Sequence, residues 1–201
     1  MNRLIAASIV GFFGVGAFPQ TTINLRLTAP ALSGVVLQLA ETEASRVLSE
    51  ANVRTRWNAR PASIRVCSSQ APDVSDIEIL ILDASSPSDH PGALGYSLPF
   101  ARTGYRVVIF YDRVRLATAK PNPELLGHVI AHEVGHMLMG TLDHAPGGVM
   151  RARWTQWEIA GMQMHPLHFT ASDLDTISRR LTAGNQCERA LEYVIASSRG
   201  E

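Results

Sequence analysis

The sequence carries no net charge and no long run of basic residues. Its 201 residues include 18 Lys and Arg against 18 Asp and Glu. A protein that binds nucleic acid through its phosphates usually shows a basic patch or stripe, and so does one that binds an acidic membrane surface. Nucleic acid is therefore not expected as a partner of this chain.

The sequence also lacks an apolar run long enough to cross a bilayer as a helix. Residues 4–18 are uncharged but number only about 15, short of the roughly 20 needed. They follow a short basic start and end in small residues around Ala17, which is the layout of a secretory signal peptide. We expect residues 1–17 to be a cleaved signal peptide. Residues 18–201 are then expected to form a single exported domain, periplasmic or extracellular, without stable membrane insertion and monomeric.

Cysteine is scarce, which excludes a densely disulfide-bonded scaffold. The two cysteines, Cys67 and Cys187, lie too far apart in sequence to form a zinc knuckle. In an oxidising compartment they could form a disulfide between the middle and the end of the chain. As free thiols they would instead pack as small apolar residues.

The chain shows no internal repeat and no low-complexity tract, and its patterns alternate between strand and helix. Strand patterns occur at residues 23–27, 54–57, 63–67, 77–82, 93–98 and 106–111. The isoleucine-rich run at 77–82 predicts a central strand, and 93–98 predicts a short edge strand. Residues 31–53 carry apolar side chains at helical spacing and predict one long amphipathic helix. This order predicts an α/β (α+β) fold with helices packed on one sheet.

A second helix is predicted by signals at both of its ends. Asn122 is a good N-cap, Pro123 suits the first helical position, and Gly140 suits the position that ends a helix. The helix between them contains His132, Glu133 and His136.

These three residues form an H-E-x-x-H motif with a clear chemical rationale. His132 and His136 are four residues apart, so both imidazoles lie on one helix face and can converge on one metal ion. Glu133 can then serve as general base toward the attacking water without binding the metal itself. His128 lies one turn earlier, within possible reach of the metal. We interpret it as an ordinary helix histidine, either hydrogen-bonded or exposed.

A catalytic zinc needs a third protein ligand, and the residues that follow supply candidates. The sequence from His136 through Gly140 and His144 to Met150 resembles the metzincin clan of zinc peptidases. That clan has the motif H-E-x-x-H-x-x-G-x-x-H, followed by a tight turn that contains a methionine. The resemblance implies one Zn²⁺ per chain with His144 as third ligand and Met150 in the Met-turn.

The spacing departs from that motif by one residue before and one residue after Gly140. Asp143 therefore occupies the third position after the glycine, and it is the alternative third ligand. Glu158, 22 residues after His136, is a further alternative that a different clan of zinc peptidases would use.

The resemblance also implies a zincin-like fold with a long backing helix, an active-site helix, a C-terminal helix and an antiparallel edge strand. In that clan the edge strand binds substrate by strand addition, which assigns Gly95 and Tyr96 to the substrate-binding edge. A plain surface loop is the other interpretation of these residues. The predicted cap at residues 170–173 begins the C-terminal helix, which is predicted to run through Leu181.

Together these inferences predict an exported zinc-dependent endopeptidase that acts on a peptide or protein substrate. Two other functions are compatible with the same residues. One is a metal-dependent hydrolase acting on something other than peptide, and the other is a zinc-stabilised binding protein without turnover.

Overall fold

The computed structural model describes residues 20–58, 76–101, 104, 106–118 and 122–198, with side chains described as far as residue 184. The predicted signal peptide, the predicted strand at 63–67, Cys67 and the side chain of Cys187 lie outside the described residues. Export and the disulfide therefore stay predictions.

The described residues form five strands and five helices, numbered here in chain order. The strands are β1 (Thr21–Thr28), β2 (Val53–Trp57), β3 (Asp76–Leu82), β4 (Gly95–Ser97) and β5 (Val107–Phe110). The helices are α1 (Gly34–Ser49), α2 (Tyr111–Thr118), α3 (Pro123–Met139), α4 (Gln156–Gly161) and α5 (Ala171–Ser198).

The strands form one mixed sheet in the order β2-β1-β3-β5-β4. The first four run parallel, and β4 pairs antiparallel with β5 at the edge. The isoleucine-rich strand β3 lies at the centre, as its sequence predicted. The predicted fold class, a mixed sheet with an antiparallel edge strand and packed helices, is confirmed.

One face of this sheet carries the hydrophobic core. Alternate residues of β1 and β3 are fully buried, among them Leu25 and Ile77, which are paired in register. The helices α1 and α3 pack against each other over the sheet, and α3 also contacts β4 and β5. Gly127 allows α1 to approach closely, since a Cβ there would lie 2.7 Å from the Cβ of Glu43. Helix α3 therefore lies between α1 and the edge strand β4.

Both ends of α3 have the predicted caps. The Asn122 side chain accepts the Leu125 N–H at 2.7 Å, and Gly140 adopts the left-handed conformation with φ of +64°. Its N–H donates to the His136 carbonyl oxygen at 2.8 Å. Every residue of the helix from 125 to 139 is buried, so its position is fixed on all sides.

The observed helices differ from the predictions in their ends and in their number. α1 ends at Ser49 rather than at residue 53. α1 begins at Gly34 rather than at residue 31, because Ser33 is the N-cap and accepts the Val36 N–H at 3.4 Å. α5 continues to Ser198, well beyond the predicted end at Leu181. The short helices α2 and α4 were not predicted. Within the described residues, none of the helices combines the length and the apolar character that a membrane span requires.

Candidate metal centre and active site

Three histidines converge at the C-terminal half of α3. His132 and His136 project from successive turns of the helix, and their Nε2 atoms lie 3.1 Å apart. His144 comes from the loop after the helix, and its ring lies 5.3 Å from that of His132 and 4.9 Å from that of His136, measured between centroids. One ring nitrogen from each residue lies within 4.8 Å of the other two.

Backbone carbonyls orient the two helical imidazoles. His132 Nδ1–H donates to the Val149 carbonyl oxygen at 2.7 Å, and His136 Nδ1–H donates to that of Thr141 at 2.9 Å. Because a carbonyl can only accept, these contacts place the proton on Nδ1 and the lone pair on Nε2. Both Nε2 lone pairs then point into the site.

This donor set fits a zinc ion. Burial lowers the pKa of His132 to about 3 and that of His136 to about 4, so both imidazoles are neutral at pH 7. Two neutral acceptors 3.1 Å apart repel each other unless a cation lies between them. Tetrahedral zinc with Zn–N bonds of about 2.0–2.1 Å needs neighbouring nitrogens roughly 3.3 Å apart, close to the observed separation.

The structure places the two alternative ligands outside this cluster. The Asp143 carboxylate is exposed and accepts the Thr141 hydroxyl at 2.7 Å. Glu158 caps α4 through Thr155 and pairs with Arg151 at 3.0 Å. Among the described residues, His132, His136 and His144 form the one cluster of His, Cys, Asp or Glu side chains that could hold a metal ion.

Glu133 follows His132 on α3, and its side chain is buried against β4. A Cβ at Gly95 would lie 3.3 Å from Oε1 of Glu133, so the carboxylate packs directly on this strand. Burial raises the pKa of Glu133 to about 7, and the nearby Ser97 hydroxyl opposes that rise. Ser97 Oγ is itself buried and has no partner in good hydrogen-bond geometry. A cation at the histidines would favour the ionised form of Glu133.

The strand β4 offers its outer edge next to this carboxylate. The Leu98 N–H donates to the Arg106 carbonyl oxygen at 2.7 Å, and the Phe110 N–H donates to that of Leu94 at 2.8 Å. Because backbone groups alternate sides along an antiparallel strand, those of Gly95 and Ser97 point away from β5. Tyr96 projects its ring to the opposite sheet face, where it contacts Phe110.

The loop after His144 returns beneath α3 through the Met-turn, residues 148–150. Met150 is fully buried, and its sulfur lies 2.6 Å from where a Cβ at Gly135 would be. Gly148 has φ of +71°, and a Cβ there would overlap the His168 carbonyl oxygen. The turn that carries the Val149 carbonyl therefore depends on glycine at position 148.

Replacing Gly148 with alanine is expected to lower the free energy of unfolding by at least about 2 kcal/mol. The new Cβ combines a strained left-handed backbone with a clash against a carbonyl that cannot move independently. Urea unfolding of the metal-free protein measures the effect. Gly147→Ala is the matched control, because a Cβ there meets nothing within 4 Å. Equal stability of the two variants would contradict the proposed packing of the turn.

The groups that orient the two helical imidazoles were not predicted from the sequence. The carbonyls of Thr141 and Val149 leave no sequence signature, since any residue supplies a carbonyl. Trp154 lies edge-on to His132 at 5.7 Å and donates its Nε1–H to the Gly148 carbonyl oxygen at 3.3 Å. Ser97 could have been found, because it lies two residues after Gly95 and so shares a face of the predicted edge strand.

Comparison with known proteins yields distant structural similarity. Archaemetzincin from Methanopyrus kandleri is 18% identical over 81% of this chain and 96% of that chain, with a TM-score of 0.46. Myroilysin is 15% identical over 79% of this chain and 67% of that chain, with a TM-score of 0.36. No protein-family model and no curated protein sequence matches the chain.

Proposed function

We propose that the chain is a zinc-dependent endopeptidase in which His132, His136 and His144 hold the metal and Glu133 is the general base. The observation that carries this proposal is the convergence of three imidazoles beside a buried carboxylate. One chain would hold one zinc ion.

The histidines and Glu133 have separate tasks in this mechanism. Zinc, when bound, polarises a carbonyl and lowers the pKa of water towards 7. The hydrogen bonds from Nδ1 to backbone carbonyls keep His132 and His136 oriented, and burial keeps both rings uncharged, so they hold a cation without cancelling its charge. Glu133 accepts a proton from the attacking water and can return it to the leaving amine. Its burial suits this task, because a base surrounded by protein is shielded from competing water.

The edge of β4 favours a peptide substrate. An extended chain laid along this edge would pair with the outward backbone groups of Gly95 and Ser97. Its scissile carbonyl would then lie between Glu133 and the three histidines, since the Glu133 carboxylate packs against Gly95. Backbone pairing can occur anywhere along a chain, which favours cleavage within a polypeptide over removal of a terminal residue.

Metal analysis and a cleavage assay on the purified protein test this proposal together. We expect about one zinc per chain and cleavage of an unfolded protein such as reduced casein. A strong chelator should abolish cleavage, and added zinc should restore it. Mass spectrometry of the products should find cuts at internal bonds.

The alternatives give different outcomes in the same experiment. Stoichiometric zinc without cleavage of any unfolded protein would favour a metal-dependent hydrolase that acts on something other than peptide, or a zinc-stabilised binding protein. Absence of zinc would contradict the proposal at its first step. Export stays part of the proposal, supported by the signal-peptide layout of residues 1–17.

A further inference from the structure

Outside the cluster of His132, His136 and His144, a fully buried histidine forms hydrogen bonds with a neighbouring backbone segment. His128 Nδ1–H donates to the Glu124 carbonyl oxygen at 2.8 Å, and its Nε2 accepts the Leu167 N–H at 3.0 Å. These contacts require the neutral ring, and burial lowers the pKa of His128 accordingly. Leu167 begins the bridging segment, residues 167–169, which leads into α5.

A glutamate at the end of α1 binds the other end of the bridging segment. Glu50 Oε2 accepts the Phe169 N–H at 3.3 Å, and Glu50 Oε1 lies 2.7 Å from His168 Nδ1. Arg46, one turn earlier on α1, lies 3.6 Å from the same Oε1. The backbone N–H groups of residues 167 and 169 are thus both held, one from α3 and one from α1.

The His168 carbonyl lies between those two N–H groups and connects the bridging segment to the three histidines. The His168 carbonyl oxygen accepts the Val149 N–H at 2.8 Å. The carbonyl of the same residue, Val149, accepts His132 Nδ1–H at 2.7 Å. Successive hydrogen bonds therefore lead from His128 and Glu50 through the bridging segment and the Met-turn to a zinc ligand.

We propose that His128 and Glu50 are positioning residues for His132, acting through residues 167–169 and the Val149 peptide. This inference rests on the proposed zinc site. The two side chains fix the bridging segment from opposite ends, and the segment fixes the carbonyl that sets the tautomer and orientation of His132. Outer partners of ligand histidines tune metal affinity because they hold the ring ready to bind.

Zinc affinity of His128→Leu and Glu50→Ala, measured by competition with a chromogenic chelator, tests this role. We expect the zinc Kd of each variant to rise about threefold to tenfold, below the 10–100-fold typical of losing a direct partner of a ligand. The double variant should show much less than the product of the two effects, because both act through one segment. Glu50→Gln keeps an acceptor for the Phe169 N–H and should restore a Kd close to that of wild type.

A control separates positioning from general loss of stability. Thr55→Val removes a 2.7 Å contact between the Thr55 and Ser45 hydroxyls, where β2 meets α1. Urea unfolding of the metal-free proteins ranks the destabilisation of all variants, and the Thr55→Val control should keep the wild-type Kd. A wild-type Kd in His128→Leu and Glu50→Ala would overturn this inference and leave the proposed function standing. Failure of the wild-type protein to bind zinc would overturn both.

Discussion

Replacing Glu133 with glutamine is expected to leave zinc binding intact and to slow peptide hydrolysis by about 10²–10⁴-fold, the usual contribution of a general base. Glutamine has nearly the same shape, so it fills the space against Gly95. It cannot accept the proton that the attacking water must lose. Zinc content and the rate of casein cleavage, measured on the same preparation, check the prediction.

A second carboxylate provides the control for this substitution. Glu41 on α1 is half-buried, and burial raises its pKa as well. Glu41→Gln removes a comparable charge away from the histidines and should cleave at the wild-type rate. Full activity of Glu133→Gln would remove Glu133 from the mechanism, and loss of zinc from that variant would mean that the carboxylate supports the metal cluster instead.

The active-site helix could be predicted closely because its limits are local. Asn122 and Pro123 need only their immediate neighbours to start a helix, and Gly140 ends it by adopting a conformation that other residues avoid. The central strand β3 was equally predictable, since its buried isoleucines alternate with half-buried residues in the pattern of one covered face.

The helices α2 and α4 were not predicted from the sequence, for two different reasons. α2 begins at Tyr111 directly after β5, with no turn residue between them, so its first residue was counted as the end of the strand. α4 carries a local signal, because Thr155 and Glu158 form a capping box. At six residues, however, α4 is too short to show an apolar period.

The metal-binding residues also differ in how far local sequence could predict their positions. The separation of four residues placed His132 and His136 on one face without further information. The position of the third histidine depends on how the loop folds back. The Ala145 N–H donates to the Met150 carbonyl oxygen at 2.9 Å, and this contact closes the loop. Spacing alone could not distinguish His144 from its neighbour Asp143.

The contact between Glu133 and β4 joins residues more than thirty positions apart. It depends on the pairing of β4 with β5 and on the packing of α3 against that edge. A sequence pattern can identify the strand and the helix separately, but only the folded chain sets their distance. This is why the base was predictable from its motif, whereas its packing against Gly95 was not.

His144→Ala is expected to weaken zinc binding by more than about 100-fold, beyond the loss that removal of an outer partner causes. The substitution leaves the metal with two protein ligands, where a catalytic zinc site uses three. The side chain is exposed, so the free energy of unfolding of the metal-free protein should change by no more than about 0.5 kcal/mol. Zinc Kd by chelator competition and urea unfolding measure the two quantities separately.

Asp143→Ala is the matched comparison, one residue away in the same loop. Its carboxylate accepts the Thr141 hydroxyl, and the Thr141 carbonyl orients His136, so a loss of zinc affinity of at most severalfold is expected. The opposite ranking of the two variants would assign the third ligand to Asp143 and would require the loop to rearrange around the metal. Undiminished affinity in both would mean that a residue outside this loop completes the site. Loss of zinc affinity in His144→Ala alone, with an unchanged free energy of unfolding, would show that His144 acts as a ligand and not in folding. An exposed ring contributes little to the core, but it supplies the third nitrogen that the site needs beside His132 and His136.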